Sequence, residues 1–192
     1  MANEKNSNED KSFENVDYYE KKLVDSAYYK CRFIECNFTK SDLRGVVFED
    51  CSFENCNFSM TEIDGASFRN ILFKGCKMLG IDFTKFNNLI FSFRFETCIM
   101  DYCTFFGTVL KKTQFINCSL KEVDFSEADM TKVLFTESDL TRAIFSRTIL
   151  EEADFRSAIN FSIDPEMNSV KKAKFSSFQL EGLLVKYQLD IS

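Results

Sequence analysis

The sequence contains no histidine, one proline and only six glycines. The lack of histidine excludes catalytic triads with a histidine base and histidine-containing zinc sites. The scarcity of glycine and proline is unusual for a β-sandwich, whose many turns use these residues. No apolar run approaches the ~18 residues of a membrane-spanning helix. The polar start, Met1 to Ser12, lacks the apolar stretch of a secretory signal, so we expect a cytoplasmic protein with reduced thiols that does not contact a membrane.

The charge balance is slightly acidic, with 24 Lys and Arg against 30 Asp and Glu. An excess of positive charge is the usual mark of nucleic-acid binding, and its absence argues against direct contact with nucleic acid. Phenylalanine is abundant, at 23 residues, which gives the chain far more apolar surface to bury than a disordered protein has. The composition therefore predicts a folded domain with a large core.

Large apolar residues recur every five positions, a spacing that fits neither an α-helix nor a β-strand. One series runs from Phe33 to Phe83 and, after a seven-residue step, a second runs from Ile90 to Phe155. Two places before these centres the side chains are compact in most repeats. All eight cysteines lie at this second position: Cys31, Cys36, Cys51, Cys56, Cys76, Cys98, Cys103 and Cys118. Two inward residues with one between them make a short extended segment, and the other two residues must turn the chain, so the pattern predicts a β-solenoid.

Individual repeats resemble the A(D/N)LXX consensus of the pentapeptide-repeat family, over about Lys30 to Ser157. Examples are Cys36-Asn37-Phe38-Thr39-Lys40, Ala128-Asp129-Met130-Thr131-Lys132 and Ser138-Asp139-Leu140-Thr141-Arg142. The resemblance implies an all-β, right-handed quadrilateral β-helix with four pentapeptides in each coil, so that residues twenty apart stack in columns. We expect a disordered tail over 1–12, the solenoid over 13–175 and a separate C-terminal segment over 176–192.

Given four faces in each coil, one column collects five cysteines, provided that the seven-residue step is a two-residue bulge that skips no face. They are Cys36, Cys56, Cys76, Cys98 and Cys118. Parallel side chains in register are badly angled for disulfides, and cysteine packs as a compact apolar residue. We therefore expect free, buried, structural thiols and no metal site. The bulge carries Phe86, Leu89 and Phe91, for which burial in the core is favoured over a protruding contact.

The C-terminal segment carries four apolar residues at helical spacing: Leu180, Leu183, Leu184 and Tyr187. This spacing predicts a short amphipathic helix. Two roles stay open for it, covering the end of the solenoid and dimerisation. The stretches from Asn160 to Pro165 and from Lys171 to Ser176 resemble the tails of Qnr-like quinolone-resistance proteins, and this resemblance implies a homodimer formed through C-terminal elements.

No catalytic constellation is present, because paired acids such as Glu151 and Glu152 lie at outward positions without a pocket or a partner nucleophile. We expect no enzymatic activity and no cofactor. The Qnr-like resemblance implies a rod that imitates duplex DNA and binds DNA gyrase or topoisomerase IV, which requires carboxylates along one side. One face of the repeat carries such residues: Asp42, Glu62, Asp64, Asp82, Asp124 and Glu127. The alternative is a protein-interaction scaffold with an unknown partner.

Overall fold

The computed structural model describes residues 7–86 and 93–190, which wind into stacked coils. Every strand pairs in parallel with a strand of the next coil, and the partner lies twenty residues further along the chain through most of the molecule. Phe33 is opposite Phe53, and Tyr28 is opposite Phe48. Four five-residue segments therefore make one coil, and the quadrilateral β-solenoid expected from the sequence is confirmed.

The regular strands are short and form two parallel sheets. The first sheet contains β1 (Ser7–Glu9), β3 (Ala27–Tyr29), β5 (Val47–Glu49) and β7 (Ser67–Arg69). The second contains β2 (Ser12–Glu14), β4 (Arg32–Ile34), β6 (Ser52–Glu54), β8 (Ile71–Lys74), β9 (Phe93–Glu96), β10 (Gln114–Ile116) and β11 (Leu134–Thr136). The described residues also include 3₁₀ helices over Phe83–Lys85, Ser177–Leu183 and Val185–Tyr187.

We number the four faces in chain order from the one that begins at Phe13, so that faces 2, 3 and 4 begin at Tyr18, Leu23 and Tyr28. Neighbouring rings of the face 1 stack are 4.8 to 5.4 Å apart. The stack has nine members: Phe13, Phe33, Phe53, Phe73, Phe95, Phe115, Phe135, Phe155 and Phe175. Rings of face 3 meet these edge to face, as Phe125 meets Phe115 at 6.0 Å and 69°. Edge-to-face contacts are favoured for aromatic rings, and here they fill the axis of the rod.

Most corners of the coils have a positive φ although few of them are glycine. Asn55 has φ 53° and Lys132 has φ 62°. This conformation strains residues that have a Cβ atom. A hydrogen bond to the next coil holds it in place, since the Asn55 N–H donates to the Lys74 carbonyl at 2.8 Å and the Lys132 N–H to the Glu151 carbonyl at 2.9 Å. Hydrogen bonds between coils thus stabilise the turns. The sequence, with so little glycine and proline, did not indicate these turns.

The seven-residue step is a two-residue bulge that skips no face. Phe73 pairs with Phe95, Lys77 with Ile99 and Asp82 with Thr104, so the columns of faces 1, 2 and 3 continue in register beyond it. Phe86 is partly buried and packs 4.9 Å from Phe68, ring centre to ring centre. The other two bulge residues that we expected in the core, Leu89 and Phe91, lie outside the described residues.

The solenoid begins earlier than the sequence indicated. Strands β1 and β2 pair with β3 and β4, so the disordered tail predicted over 1–12 is wrong from Ser7 to Ser12. The first inward residue is polar, so this coil does not show the apolar centres of the five-residue pattern. Asn8 is only 5% exposed, and its side-chain amide donates to Asp25 at 2.6 Å. Residues 1–6 of the expected tail lie outside the described residues.

The C-terminal segment forms two short 3₁₀ helices, so the short helix predicted within 176–192 is present as 3₁₀ turns. The first is kinked at Gln179, where φ is −133°. The Ile163 N–H donates to the Gly182 carbonyl at 2.9 Å, which ties the segment to the last coil. A segment this short has little helical stability of its own, so its contacts decide its shape. Residues 191 and 192 lie outside the described part, and no helix within that part is long and apolar enough to cross a bilayer.

Candidate interaction surfaces

The cysteine column lies inside face 2, and every thiol in it is buried. Each thiol donates a hydrogen bond to the carbonyl of a phenylalanine in the preceding coil. The Cys56 Sγ is 3.4 Å from the Phe33 carbonyl oxygen, and the Cys118 Sγ is 3.6 Å from that of Phe95. The column continues with Ser138, whose hydroxyl donates to the Phe115 carbonyl at 3.1 Å. The repeat therefore selects this position for compactness and for a donor, a signal that spacing alone did not reveal.

All eight cysteines are free thiols. Burial raises the pKa of Cys51 to about 11 and that of Cys103 to about 12, and it also raises the pKa of Cys76. These thiols stay protonated at neutral pH, and a protonated thiol is a poor nucleophile and metal ligand. Within the described residues, no three potential metal ligands among His, Cys, Asp and Glu come together.

The six acidic residues predicted for one side all lie on face 3 or its edges, but most are paired with a cation. Arg44 is 2.9 Å from Asp42 and 3.4 Å from Glu62. A hydrogen bond from the Arg44 side chain lowers the pKa of Asp42 to about 2. Lys85 lies 3.9 Å from Asp64.

The remaining acids of face 3 differ among themselves. Glu127 is bound by Arg147 of the next coil. Asp82 and Asp124 have no ion pair within the described residues. Each uses one carboxylate oxygen locally, accepting from the Thr84 N–H at 3.0 Å and the Ser126 N–H at 2.8 Å respectively. Only these two carboxylates of the predicted set are available to an outside cation.

Opposite charges stack between coils on the other faces as well. Lys40 is 3.4 Å from Glu20, Lys132 is 3.6 Å from Glu152, and Lys111 is 3.0 Å from Asp129. These pairs lie at the surface, where each contributes roughly 0–1 kcal/mol to stability. Their larger effect is on the potential, since a cation one coil away screens the carboxylate from anything that approaches the rod. The charge is thus scattered and paired rather than gathered into a negative strip.

The four residues predicted for dimerisation or capping separate into two pairs. Leu183 packs against the core and Leu184 is partly exposed. Leu180 and Tyr187 are 45% and 52% exposed. The Tyr187 hydroxyl donates to Glu166 at 3.1 Å, which fastens the segment to the last coil. Leu183 and Leu184 are therefore partly buried, and Leu180 and Tyr187 face outward.

The end of the rod also exposes apolar residues that helical spacing did not flag. Ile144, Ile149 and Ile159 occupy outward positions of the last coils, on faces 3, 4 and 2. The exposed large apolar residues at this end are Ile144, Ile149, Ile159, Met167, Phe178, Leu180, Val185, Tyr187 and Leu189. These residues lie on several sides of this end of the rod and on the tail that crosses it.

Comparisons with known proteins bear on the repeat and on the fold. A family model described as pentapeptide repeats, in eight copies, matches residues 31–70, and one described as a pentapeptide repeat region matches residues 85–155. Together they match more than half of the chain. The comparison with curated protein sequences gives no match.

Solved structures align with this chain at low sequence identity. Trypsin-treated QnrB1, a plasmid-mediated fluoroquinolone resistance protein, aligns over 100% of both chains with a TM-score of 0.50 and 16% identity. Full-length QnrB1 aligns over 95% of this chain and 100% of its own, with a TM-score of 0.47 and 15% identity. HetL, a pentapeptide repeat protein involved in heterocyst differentiation regulation in the cyanobacterium Nostoc, aligns over 90% of this chain and 87% of its own, with a TM-score of 0.37 and 12% identity. At these identities the likeness concerns the fold alone.

Proposed function

Because this chain belongs to the pentapeptide-repeat family, we propose that it is a non-enzymatic rod that binds a protein partner along its sides. The observation that carries the proposal is the filled interior: Phe95, Phe105 and Phe115 are each 0% exposed, so the axis leaves no room for a substrate. The polar side chains lie on the outer faces of the rod. The thiols are buried inside it, so a substrate in solution cannot contact them. A protein of this design acts through surface contacts.

The partner that we propose is a type II topoisomerase, either DNA gyrase or topoisomerase IV. The rod is about 38 Å long, because the nine-membered stack spans eight steps of about 4.8 Å. A DNA duplex of that length carries about 22 phosphate charges. The chain has a net charge of only −6, and many of its carboxylates are paired with cations of a neighbouring coil. Shape and local contacts, rather than bulk charge, must therefore supply most of the affinity.

The second candidate is a scaffold for a partner that does not bind DNA. The ion pairs between successive coils favour it, since Arg44 and Arg147 neutralise acids on the very face that imitation of DNA requires. Under this alternative the rod is a binding site for another protein and has no effect on topoisomerase activity.

A supercoiling assay with purified gyrase, with and without a quinolone, tests the topoisomerase proposal. We expect micromolar rod to inhibit supercoiling or to restore it in the presence of the drug. The double variant Asp82→Asn/Asp124→Asn should weaken this effect, whereas Glu137→Gln, which removes one charge on face 1, should leave it within about twofold because an isolated surface charge is worth little. No response at micromolar rod, in the same assay with topoisomerase IV as well, would reject the topoisomerase and leave the scaffold.

We also propose that the rod is a homodimer joined through its C-terminal end. The exposed apolar residues of the 3₁₀ segments support this, because a second copy would cover Leu180, Val185 and Tyr187. The 3₁₀ segments would then serve both roles left open by the sequence, with Leu183 closing the core and the outward residues meeting the partner.

A substitution at Gly182 should test the attachment of this segment. An added Cβ would lie 2.5 Å from the Phe161 ring and 2.6 Å from the Phe161 carbonyl oxygen, so Gly182→Val should detach the 3₁₀ segments from the last coil. We expect sedimentation to show at least a tenfold weaker dimer and limited proteolysis to cut first within 176–190. Gly45→Ala, at a corner where the Cβ meets nothing within 4 Å, provides a control with backbone strain but no clash. An unchanged dimer in Gly182→Val would contradict this interface.

A further inference from the structure

Two exposed aromatic side chains lie on either side of face 3, in the coil that follows the bulge. Tyr102 is 61% exposed and Phe106 is 46% exposed. They flank Phe105, which is completely buried. Aromatic rings left in water at fixed, rigid positions are enriched where proteins bind one another.

The two available carboxylates lie on the same face, one coil before and one coil after this aromatic pair. Thr104, between the rings, pairs in parallel with Asp82 on one side and with Asp124 on the other. The two carboxylates are thus separated by roughly 9.6 Å, two coil steps, along the axis. Rings and carboxylates together form a patch, defined by Asp82, Tyr102, Phe106 and Asp124.

A shallow groove of about 160 Å³ adjoins the patch at the edge between faces 2 and 3. Gly80 forms its floor, with nothing within 4 Å of the place where a Cβ would be. Met60, 67% exposed, stands on one side, and Asp82 also lines the groove. The Gly80 N–H donates to the Asp101 carbonyl at 3.1 Å, so Tyr102 is the next residue along this edge. The groove offers an apolar wall and a carboxylate to one long side chain.

Cations already near the patch do not fill it. Lys85 lines the groove and lies 3.9 Å from Asp64, another residue of its lining. Arg142 and Arg147, in the coil beyond Asp124, are bound to Glu122 and Glu127 respectively. The patch therefore presents aromatic faces and unpaired carboxylates together, a combination complementary to a cation that is itself planar and apolar on its faces.

We propose that this patch binds an arginine side chain within a basic segment of the protein partner. The proposal rests on the proposed function, because it names the chemistry of that partner. A guanidinium stacks on an aromatic ring and also pairs with a carboxylate through two parallel hydrogen bonds. An ammonium group does neither as well. The groove over Gly80 takes a second long side chain of the same segment, with its aliphatic part against Met60.

Fluorescence anisotropy with labelled nona-arginine and nona-lysine peptides, and no topoisomerase present, tests the proposal. We expect the arginine peptide to bind more tightly. Tyr102→Ala should weaken it by about two- to fivefold, the usual worth of one exposed cation–π contact, and should reduce the preference for arginine. Tyr102→Phe should keep that preference. Asp82→Asn/Asp124→Asn should weaken both peptides, whereas Glu137→Gln should change neither by more than twofold. Circular dichroism shows whether each variant is folded.

Each other outcome has a definite meaning. Equal binding of the two peptides, unaffected by Tyr102→Ala, would overturn the proposal and leave only general charge attraction. Loss of the dimer in Tyr102→Ala, measured by sedimentation, would also overturn it, because the patch would then be a contact between copies. Arginine-selective binding at the patch together with an inactive supercoiling assay supports the patch and rejects only the topoisomerase.

Discussion

Replacement of Phe115 by alanine should lower the free energy of unfolding by about 3–5 kcal/mol. The ring is 0% exposed and lies midway along the face 1 stack, with Phe95 at 5.2 Å and Phe135 at 5.3 Å. It also meets Phe105 and Phe125 edge to face, at 6.2 and 6.0 Å. Coils above and below are held apart by the backbone ladder, so the cavity cannot collapse. Urea unfolding followed by circular dichroism measures the loss.

A matched control removes the same ring from a place where nothing covers it. Phe178 is 91% exposed, so Phe178→Ala should change the unfolding free energy by less than about 0.5 kcal/mol. If Phe115→Ala does not fold, Phe115→Leu should fold with a smaller loss that still exceeds that of Phe178→Ala. Equal effects of Phe115→Leu and Phe178→Ala would contradict the stacked core.

The five-residue period was enough to predict which side chains face the axis. It works because an inward residue is fixed by the pleat of each short segment, a constraint that acts within five residues. Phe53 and Phe135 are buried as that rule requires. The rule placed Cys98 and Cys118 in the column of Cys76 only on the condition that the bulge skips no face, and the pairing of Phe73 with Phe95 meets that condition.

The features that the sequence did not reveal depend on contacts between residues about twenty apart or more. The start of the solenoid was missed because Asn8 is accommodated by Asp25, seventeen residues later. The number of unpaired acids on face 3 is smaller than the sequence indicates, because the sequence does not show which cation pairs with which acid. Arg147, for example, pairs with Glu127 one coil away. The local spacing predicts a short helix in the tail but not its 3₁₀ form or its path, which the contact of Gly182 with Phe161 and Ile163 sets.

The sequence predicted the two carboxylates of the patch on face 3 but not its two aromatic rings. Asp82 and Asp124 stood among the predicted acids, but the outward rings did not enter the prediction, because the apolar period assigns aromatic residues to the core. Phe106 follows the buried Phe105 directly, at an outward position of the repeat, and it is 46% exposed. An aromatic residue at an outward position of a five-residue repeat is therefore the sequence signal to look for.

The cysteines should be unreactive in the native protein. A thiol reagent such as Ellman's reagent should modify all eight in guanidinium chloride but should react with the native rod at least about a thousandfold more slowly, because access requires local or global unfolding. Two causes act together: the side chains are at most 2% exposed, and burial raises the pKa of thiols such as Cys103 to about 12. Thiolate, the reactive form, is then nearly absent from Cys51, Cys76 and Cys103 at pH 8.

Lys77→Cys provides the control, because it places a thiol one residue after Cys76 on the outward side of the same segment. Lys77 is exposed whereas Cys76 is 1% exposed. We expect one fast equivalent per chain in this variant and none in the parent. If two or more of the natural thiols react as fast as the added one, these thiols are not buried as the structure describes. A slow reaction whose rate rises with the fraction of protein unfolded by urea would show that the thiols become accessible only when the stacked core is lost. This is expected because the thiols donate their hydrogen bonds to carbonyls of the stacked phenylalanines.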